Sequence, residues 1–385
     1  MKLIERIEDY ADELTAIRRD LHAHPELGFE EVRTSGVVTN LLESWGIEVH
    51  RNIGKTGVVG VLEGNRPGKT IGLRADMDAL PIEEQTNLSY RSTNPGIMHA
   101  CGHDGHTTML LGAARYLAET RDFSGKVVFI FQPAEEGLGG ARAMIADGLF
   151  ERFPCDEVYG LHNRPGAPQN QVRVVPGVAM AGADFFDIRV TGQGSHGARP
   201  QESRDPIVAA TALVQALQSV VSRNIDPLDA AVVSVTQIHS GSAYNVIPGE
   251  AVISGTARIF TDSARQHIRE RIREIAAGVA ATYGVETEVD IREIFGVLEN
   301  DEALSHDFAN LARSVAGESN VVVGARPTTG SEDFADMLRA VPGAYFTIGH
   351  EGTAMLHNAG FTFDDSILPL GSTLLARIAE MRTTA

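Results

Sequence analysis

The chain has 385 residues, of which 43% are hydrophobic and 22% are charged, as is ordinary for a globular protein large enough for two domains. Acidic residues outnumber basic ones by 51 to 33, and the net charge of −18 repels a phosphate backbone, so we exclude nucleic acid as a partner. No apolar run reaches the roughly 20 residues of a membrane-spanning helix, and the N-terminus lacks a signal-peptide pattern, which predicts a cytoplasmic protein without a membrane partner.

Helices and strands alternate over the first 165 residues. Apolar spacing predicts amphipathic helices over 4–22, 34–45 and 106–120. Short apolar runs predict strands over 57–64, 70–78, 126–137 and 156–163. This alternation predicts an α/β domain with a central mixed sheet flanked by helices.

The middle of the chain has a different order of elements. It predicts strands over 184–192, 230–241, 250–260 and 286–293, with helices over 206–222 and 262–284. The order β-α-β-β-α-β matches a ferredoxin-like α+β unit. A helix over 306–315 and a strand over 343–349 then resume the first pattern. The sequence therefore predicts a discontinuous domain, 1–182 and 298–385, interrupted by a domain over 183–297.

Three of the predicted strands end in ionisable residues. Asp76 and Asp78 end the first, Glu135 and Glu136 end the second, and His162 ends the third. Ligands of α/β sheets bind outside the carboxyl ends of the strands, so this edge is the candidate site. Glu135 and Glu136 taken alone also fit a solvated turn.

The stretch "MHACGHDGH" (98–106) precedes the helix at 106–120 and contains one of the two cysteines of the chain. A thiolate at Cys101 and an imidazole at His103, with a glycine between them, are suited to zinc and other borderline transition metals. The two "GKT" triplets lack the earlier glycine of a phosphate loop, and no G-x-G-x-x-G occurs, so we predict neither ATP nor a dinucleotide.

These segments together resemble the M20 metallopeptidase family, and within it the amidohydrolase branch of hippurate hydrolases, aminoacylases and auxin-conjugate hydrolases. The resemblance runs almost end to end, through "RRDLHAHPELGFEE", "RADMDALPI", "MHACGHDGHTTMLLGAA", "FIFQPAEEGLGGARAMIADG", "GLHN", "GQGSHGARP", "NVIPGEAVISGTARIF" and "LHNAGF". It implies that 1–182 and 298–385 form a catalytic metal-binding domain and that 183–297 is an inserted lid or dimerisation domain. A homodimer or homotetramer is implied as well.

The resemblance implies two divalent ions in each subunit, of zinc, manganese, cobalt or nickel. The implied metal ligands are Cys101, His103, Glu136, His162 and His357, with Cys101 bridging the ions. Glu135 is the implied general base. Most members of the wider family carry an H-x-D triplet, which here reads Asp76-Met77-Asp78; Asp78 is expected to hold one of the ligands in place.

The resemblance further implies that His196 and Asn245 stabilise the oxyanion, with His196 acting across a dimer interface, and that Arg258 binds the substrate's carboxylate. The expected reaction is hydrolysis of an N-acyl amino acid of the hippurate type. Alternatives are deacetylation of an N-acetyl amino acid, such as N-acetyl-diaminopimelate or N-acetyl-cysteine, and hydrolysis of an indole-acetyl amino acid. A non-catalytic metal- or peptide-binding homologue is a remote alternative, since both glutamates and all five candidate ligands are present.

Overall fold

Strands and helices follow one another along most of the chain in the computed structural model, which describes residues 1–352 and 354–384. The strands are β1 Glu48–Ile53, β2 Gly57–Glu63, β3 Arg66–Asp76, β4 Ser124–Gln132, β5 Glu157–Pro165, β6 Val172–Val174, β7 Gly177–Met180, β8 Gly182–Thr191, β9 Ser195–His196, β10 Ala231–Ser240, β11 Val246–Ile247, β12 Glu250–Ile259, β13 Glu286–Phe295, β14 Leu298–Asn300, β15 Val321–Val323 and β16 Gly343–His350. The helices are α1 Glu5–Glu8, α2 Ala11–Ala23, α3 Val32–Ser44, α4 His103–Thr120, α5 Gly140–Ala146, α6 Leu149–Arg152, α7 Pro206–Leu217, α8 Ser219–Asn224, α9 Asp262–Tyr283, α10 Glu302–Ala316, α11 Phe334–Ala340 and α12 Leu368–Arg382.

The chain divides into two units. Unit 1 comprises Met1–Ala179, Leu298–Pro327 and Asp333–Ala385, and unit 2 comprises Met180–Val297 and Thr328–Glu332. The short second segment belongs to unit 2 because the Ala181 N–H donates to the carbonyl oxygens of Thr328 and Gly330 at 3.0 Å each. No sequence pattern indicated that second segment.

Unit 1 is built on an eight-stranded sheet in the order β1-β2-β4-β3-β5-β16-β6-β15. The four central strands β4, β3, β5 and β16 run parallel, whereas β1, β2 and β6 pair antiparallel with their neighbours β2, β4 and β16. The mixed sheet predicted from the alternation is therefore confirmed. Its parallel centre brings the carboxyl ends of β3, β4 and β5 to one edge.

Helix α4 is largely enclosed by unit 1, and thirteen of its eighteen residues are buried. It packs against α12, where the Ser372 hydroxyl donates to the Met109 carbonyl at 2.9 Å. A Cβ on Gly112 would lie 2.4 Å from that same hydroxyl oxygen, so only glycine allows this approach. These contacts pack the middle of α4 closely against α12.

Unit 2 has a four-stranded antiparallel sheet in the order β10-β12-β8-β13, which is the strand order of a ferredoxin-like fold. Apolar residues of α7, α8 and α9 pack on one face of it. Asp205 caps α7 by accepting the N–H groups of Ile207 and Val208. The helix predicted over 206–222 is interrupted at Gln218, which separates α7 from α8.

No helix within the described residues is long and apolar enough to cross a membrane. The cytoplasmic location stays a prediction.

Candidate metal centre

Three neighbouring strands of unit 1 bring the predicted site residues to the same edge of the sheet. Strand β3 ends at Asp76 with Asp78 two residues beyond, and β4 ends three residues before Glu135. His162 lies within β5, near the end of the strand, which continues to Pro165, two residues beyond the predicted end. Its position near the strand end still places it at the same edge, since β5 pairs parallel with β3.

The turn before α4 orients Cys101 and His103. Gly102 has a φ of 99°, a conformation that favours glycine, and the helix begins directly after it. A Cβ at Gly102 would lie 2.5 Å from the Asn163 side-chain oxygen, so the residue is also held close to β5. As a result the Cys101 Sγ lies 3.4 Å from His162 Nε2.

Glu136 lies between two of the predicted imidazoles. Its Oε1 is 3.2 Å from His357 Nε2 and 3.9 Å from His103 Nε2. His357 has a φ of 63° and donates its backbone N–H to the Ala100 carbonyl at 2.8 Å, which ties the "LHN" turn to the cysteine segment.

The five predicted ligands form two groups that share Cys101. Cys101, His103 and His162 make one group, and Cys101, Glu136 and His357 make the other; within each, one atom of every side chain lies within 4.8 Å of the others. A third group joins Glu135 to His103 and Glu136 on the same criterion. Two overlapping ligand groups with a shared thiol can hold two neighbouring cations.

Asp78 is buried and contacts two of the predicted ligands. Its Oδ1 lies 3.1 Å from His103 Nδ1, and its Oδ2 accepts the backbone N–H of Glu136 at 3.0 Å. The contact with Asp78 occupies His103 Nδ1. The other ring nitrogen, Nε2, faces the candidate ligands; it is buried and makes no hydrogen bond within the described part of the chain. An imidazole oriented by a carboxylate on one nitrogen, with the other nitrogen unpartnered, fits a metal ligand.

A second buried chain of polar contacts lies behind the candidate ligands. Arg74 Nη1 donates to Asp76 Oδ2 at 2.7 Å, Asp76 Oδ1 lies 2.6 Å from His106 Nδ1, and His106 Nε2 accepts the N–H of Asn163 at 2.9 Å. The His106 ring also packs against the ring of His162, with centroids 4.3 Å apart. The sequence feature that points to a role for His106 is its position three residues after His103, which places both side chains on the same helix face.

The charges of the site favour a bound cation. Burial, together with the nearby Glu136 carboxylate, raises the pKa of the Cys101 thiol well above its ordinary value. Burial and the proximity of His106 lower the pKa of His162 well below its ordinary value, so this imidazole is neutral. A cation offsets the free-energy cost of a buried negative charge on the Cys101 sulfur and accepts the lone pair of the neutral His162 imidazole. The residues present therefore fit a divalent metal.

The three remaining predicted residues lie in unit 2. His196 in β9 pairs with Val246 in β11, and the Gly197 N–H donates to the Asn245 carbonyl at 2.7 Å, which places the exposed His196 and Asn245 side by side. Arg258 lies in β12, and its Nη1 is buried without a hydrogen-bond partner among the described residues.

An α/β sheet with candidate sulfur, imidazole and carboxylate ligands at its carboxyl edge, joined in the chain to a ferredoxin-like unit, is typical of a class of metal-dependent hydrolases. The structure resembles that of the Bacillus subtilis YXEP protein, a dinuclear metal-binding peptidase from the M20 family, with a TM-score of 0.85 and 36% identity over 98% of this chain and 99% of that one. Residues 72–381 match peptidase family M20/M25/M40, and the chain belongs to this family.

Two curated relatives match over nearly the whole chain. The hippurate hydrolase of Campylobacter jejuni is 45% identical over 381 residues, which cover 98% of this chain and 99% of that protein. The N-acetylcysteine deacetylase of Bacillus subtilis is 41% identical over 369 residues, covering 95% of this chain and 96% of that protein. The family resemblance stated from the sequence, and the expectation of a hydrolase of this family, are confirmed.

Proposed function

We propose that this chain hydrolyses the amide bond of N-acyl amino acids, with hippurate-like compounds as the preferred class, to a carboxylate and a free amino acid. The observation that carries the proposal is the convergence of Cys101, His103, Glu136, His162 and His357 beside Glu135. The identity of 45% to a hippurate hydrolase supports the substrate class.

The five converging side chains would hold two divalent ions, of zinc, manganese, cobalt or nickel. Such a pair supplies Lewis-acid polarisation of a carbonyl and lowers the pKa of water to about 7. Asp78 would keep the Nδ1 of His103 occupied, so that its Nε2 faces the ions.

Glu135 would move the proton of the reaction. It is buried, and its Oε1 accepts the Asp333 N–H at 3.4 Å, which fixes the carboxylate beside the ligand group. Its carboxylate takes a proton from the attacking water, and the same proton passes to the amine nitrogen as the C–N bond breaks. The two adjacent glutamates would have different roles: Glu136 would bind an ion, and Glu135 would accept and donate the proton.

Unit 2 would supply the substrate contacts and act as a lid. The buried, unpartnered Nη1 of Arg258 supports a role in binding the substrate's carboxylate, because an unpaired guanidinium nitrogen is costly to bury without an anion. His196 and Asn245, side by side and exposed, would donate to the oxyanion.

We also propose that unit 2 forms the contact of a homodimer. Strand β10 is an edge strand of its sheet, and Val232 and Ile238 on it are 40% and 49% exposed. A long edge strand with exposed apolar side chains pairs readily with a second copy.

A substrate panel tests the proposal. Protein loaded separately with zinc, manganese, cobalt or nickel is given hippurate, N-acetyl amino acids and indole-acetyl-aspartate, and amine release is measured. We expect the fastest turnover with hippurate. Preferred hydrolysis of N-acetyl-cysteine would favour the second candidate, which the 41% identity to a deacetylase supports. No amine release from any of these compounds would contradict the proposal.

A further inference from the structure

Ala134, the residue before the two glutamates, has a left-handed backbone with a φ of 53°. A residue with a Cβ rarely adopts this conformation, because the Cβ comes too close to the following carbonyl oxygen. Ala134 is fully buried, and glutamates 135 and 136 follow it directly. Its backbone conformation therefore determines the direction in which the chain presents both glutamates.

Buried contacts hold Ala134 in this conformation. Its N–H donates to Glu31 Oε1 at 2.8 Å, and its carbonyl accepts the Gly140 N–H at 3.0 Å. The absence of a side chain at Gly28 allows Ala134 to fit, since a Cβ there would lie 3.0 Å from the Ala134 Cα.

Glu31 is itself fixed at both carboxylate oxygens. Its second oxygen, Oε2, accepts the hydroxyl of Thr56, and the carboxylate is fully buried at the start of α3. Burial and the charge of Asp78 raise the pKa of Glu31 to about 7. Burial disfavours the charged form of Glu31, yet the carboxyl group is buried and accepts the backbone N–H of Ala134, the residue before the two glutamates. Glu31 is therefore placed to hold this segment, 134–136, which we call the glutamate loop.

We propose that Glu31 is a positioning residue, which holds Ala134 in its left-handed conformation and thereby sets the placement of Glu135 and Glu136. The proposal rests on the proposed function only for the assignment of the two glutamates. The tether itself consists of Glu31, Thr56 and Ala134, none of which belongs to the candidate ligand set.

The test compares Glu31→Ala with the double variant Glu31→Ala/Ala134→Gly. Loss of the carboxylate lets Ala134 leave the left-handed region, and kcat for hippurate is expected to fall at least about tenfold, since small misplacements of catalytic groups cost this much or more. Glycine at 134 adopts positive φ without the tether, so the double variant is expected to recover roughly fivefold of the lost kcat. Glu31→Gln keeps an acceptor for the Ala134 N–H and should retain most of kcat.

Glu26→Ala is the matched control. Glu26 lies five residues earlier and accepts the N–H groups of Arg33 and Thr34 at 2.9 and 2.8 Å, so its loss also removes two hydrogen bonds at the start of α3 without touching the loop. We expect a lower melting temperature and an unchanged kcat per folded molecule. If Glu31→Ala does not fold, Glu31→Asp, which is too short to reach Ala134, replaces it with the same expected loss.

Two results would overturn the proposal: a folded Glu31→Ala protein with wild-type kcat, or a loss of kcat that Ala134→Gly does not reduce. A crystal structure of Glu31→Ala gives a readout that needs no substrate, and Ala134 still left-handed in it would refute the tether. A displaced Ala134 in a protein that hydrolyses no panel compound would support the tether while contradicting the proposed function.

Discussion

At the scale of single residues, Asp78 is the position where a carboxylate orients two proposed ligands at once. One of its oxygens lies against the His103 ring and the other accepts the Glu136 N–H. The motif indicated Asp78 from the sequence, but the contacts between Arg74, Asp76, His106 and Asn163 were not predicted. His106 lies in α4 and Asn163 in β5, 57 residues apart, and only the packing of the helix on the sheet brings them together.

Asp78→Ala tests this orienting role. We expect metal affinity to fall about 10- to 100-fold, the usual effect of removing a group that orients a ligand. Chelator competition followed by elemental analysis measures it. Asp156→Ala is the control, because Asp156 accepts the Thr70 N–H near the start of β5 and contacts no proposed ligand. Equal affinities of the two variants would refute the role.

His22 makes the stability of the protein depend on pH. Burial alone would lower its pKa, but hydrogen bonds to Asp104 and Glu84 outweigh burial and raise the pKa to about 9. The unfolded value is 6.5, so the protonated ring stabilises the fold fully below pH 6.5, and this contribution is lost as the pH rises through 9.

Urea denaturation between pH 6 and 10 measures this contribution, which we expect to be at most roughly 3 kcal/mol. His22→Gln should give a flatter curve than the wild type, while His24→Gln, with its side chain 39% exposed, should not. A wild-type curve that is flat from pH 6 to 10, or that His22→Gln leaves unchanged, would contradict the assignment.

At the scale of the elements, the hydrophobic periodicity predicted the type of most helices and strands, and their ends to within a few residues. It could not show that α4 begins at His103, because the first turn of the helix is polar and interrupts the apolar spacing. Nor could it show the close approach of α4 and α12. That approach depends on a glycine in one helix meeting a serine 260 positions later in the other.

Gly112→Ala and Gly36→Ala form a matched pair for the packing of α4. A methyl group on Gly112 would meet Ser372, whereas one on Gly36, within α3, would meet nothing within 4 Å. We expect Gly112→Ala to destabilise the protein by about 1–3 kcal/mol through overpacking, and Gly36→Ala to stabilise it by about 0.5–1 kcal/mol. Thermal unfolding measures both, and a Gly112→Ala protein as stable as Gly36→Ala would contradict the packing.

At the scale of the whole molecule, the order of the predicted elements indicated a discontinuous α/β domain interrupted by a ferredoxin-like one. The structure has two units and an insertion with the ferredoxin-like strand order. The segment Thr328–Glu332 joins unit 2 through backbone hydrogen bonds, which leave no trace in composition or periodicity. Its assignment to that unit could therefore be made only from coordinates.

Ile238→Lys tests the proposed dimer. A charge on the exposed edge strand β10 should shift the protein from dimer to monomer, measured by sedimentation velocity. Glu288→Lys, on the opposite edge strand β13, is the control and should leave the mass unchanged. A wild-type chain that sediments as a monomer would contradict the dimer.

The most direct test of the metal centre combines elemental analysis with hippurate turnover in the wild type and in Glu135→Gln. We predict two divalent ions per chain in both proteins, with turnover lowered by a factor of about 10² to 10⁴ in the variant, because Glu135 moves the proton without holding an ion. Fewer than two ions in the wild type, or unchanged turnover in Glu135→Gln, would contradict the account.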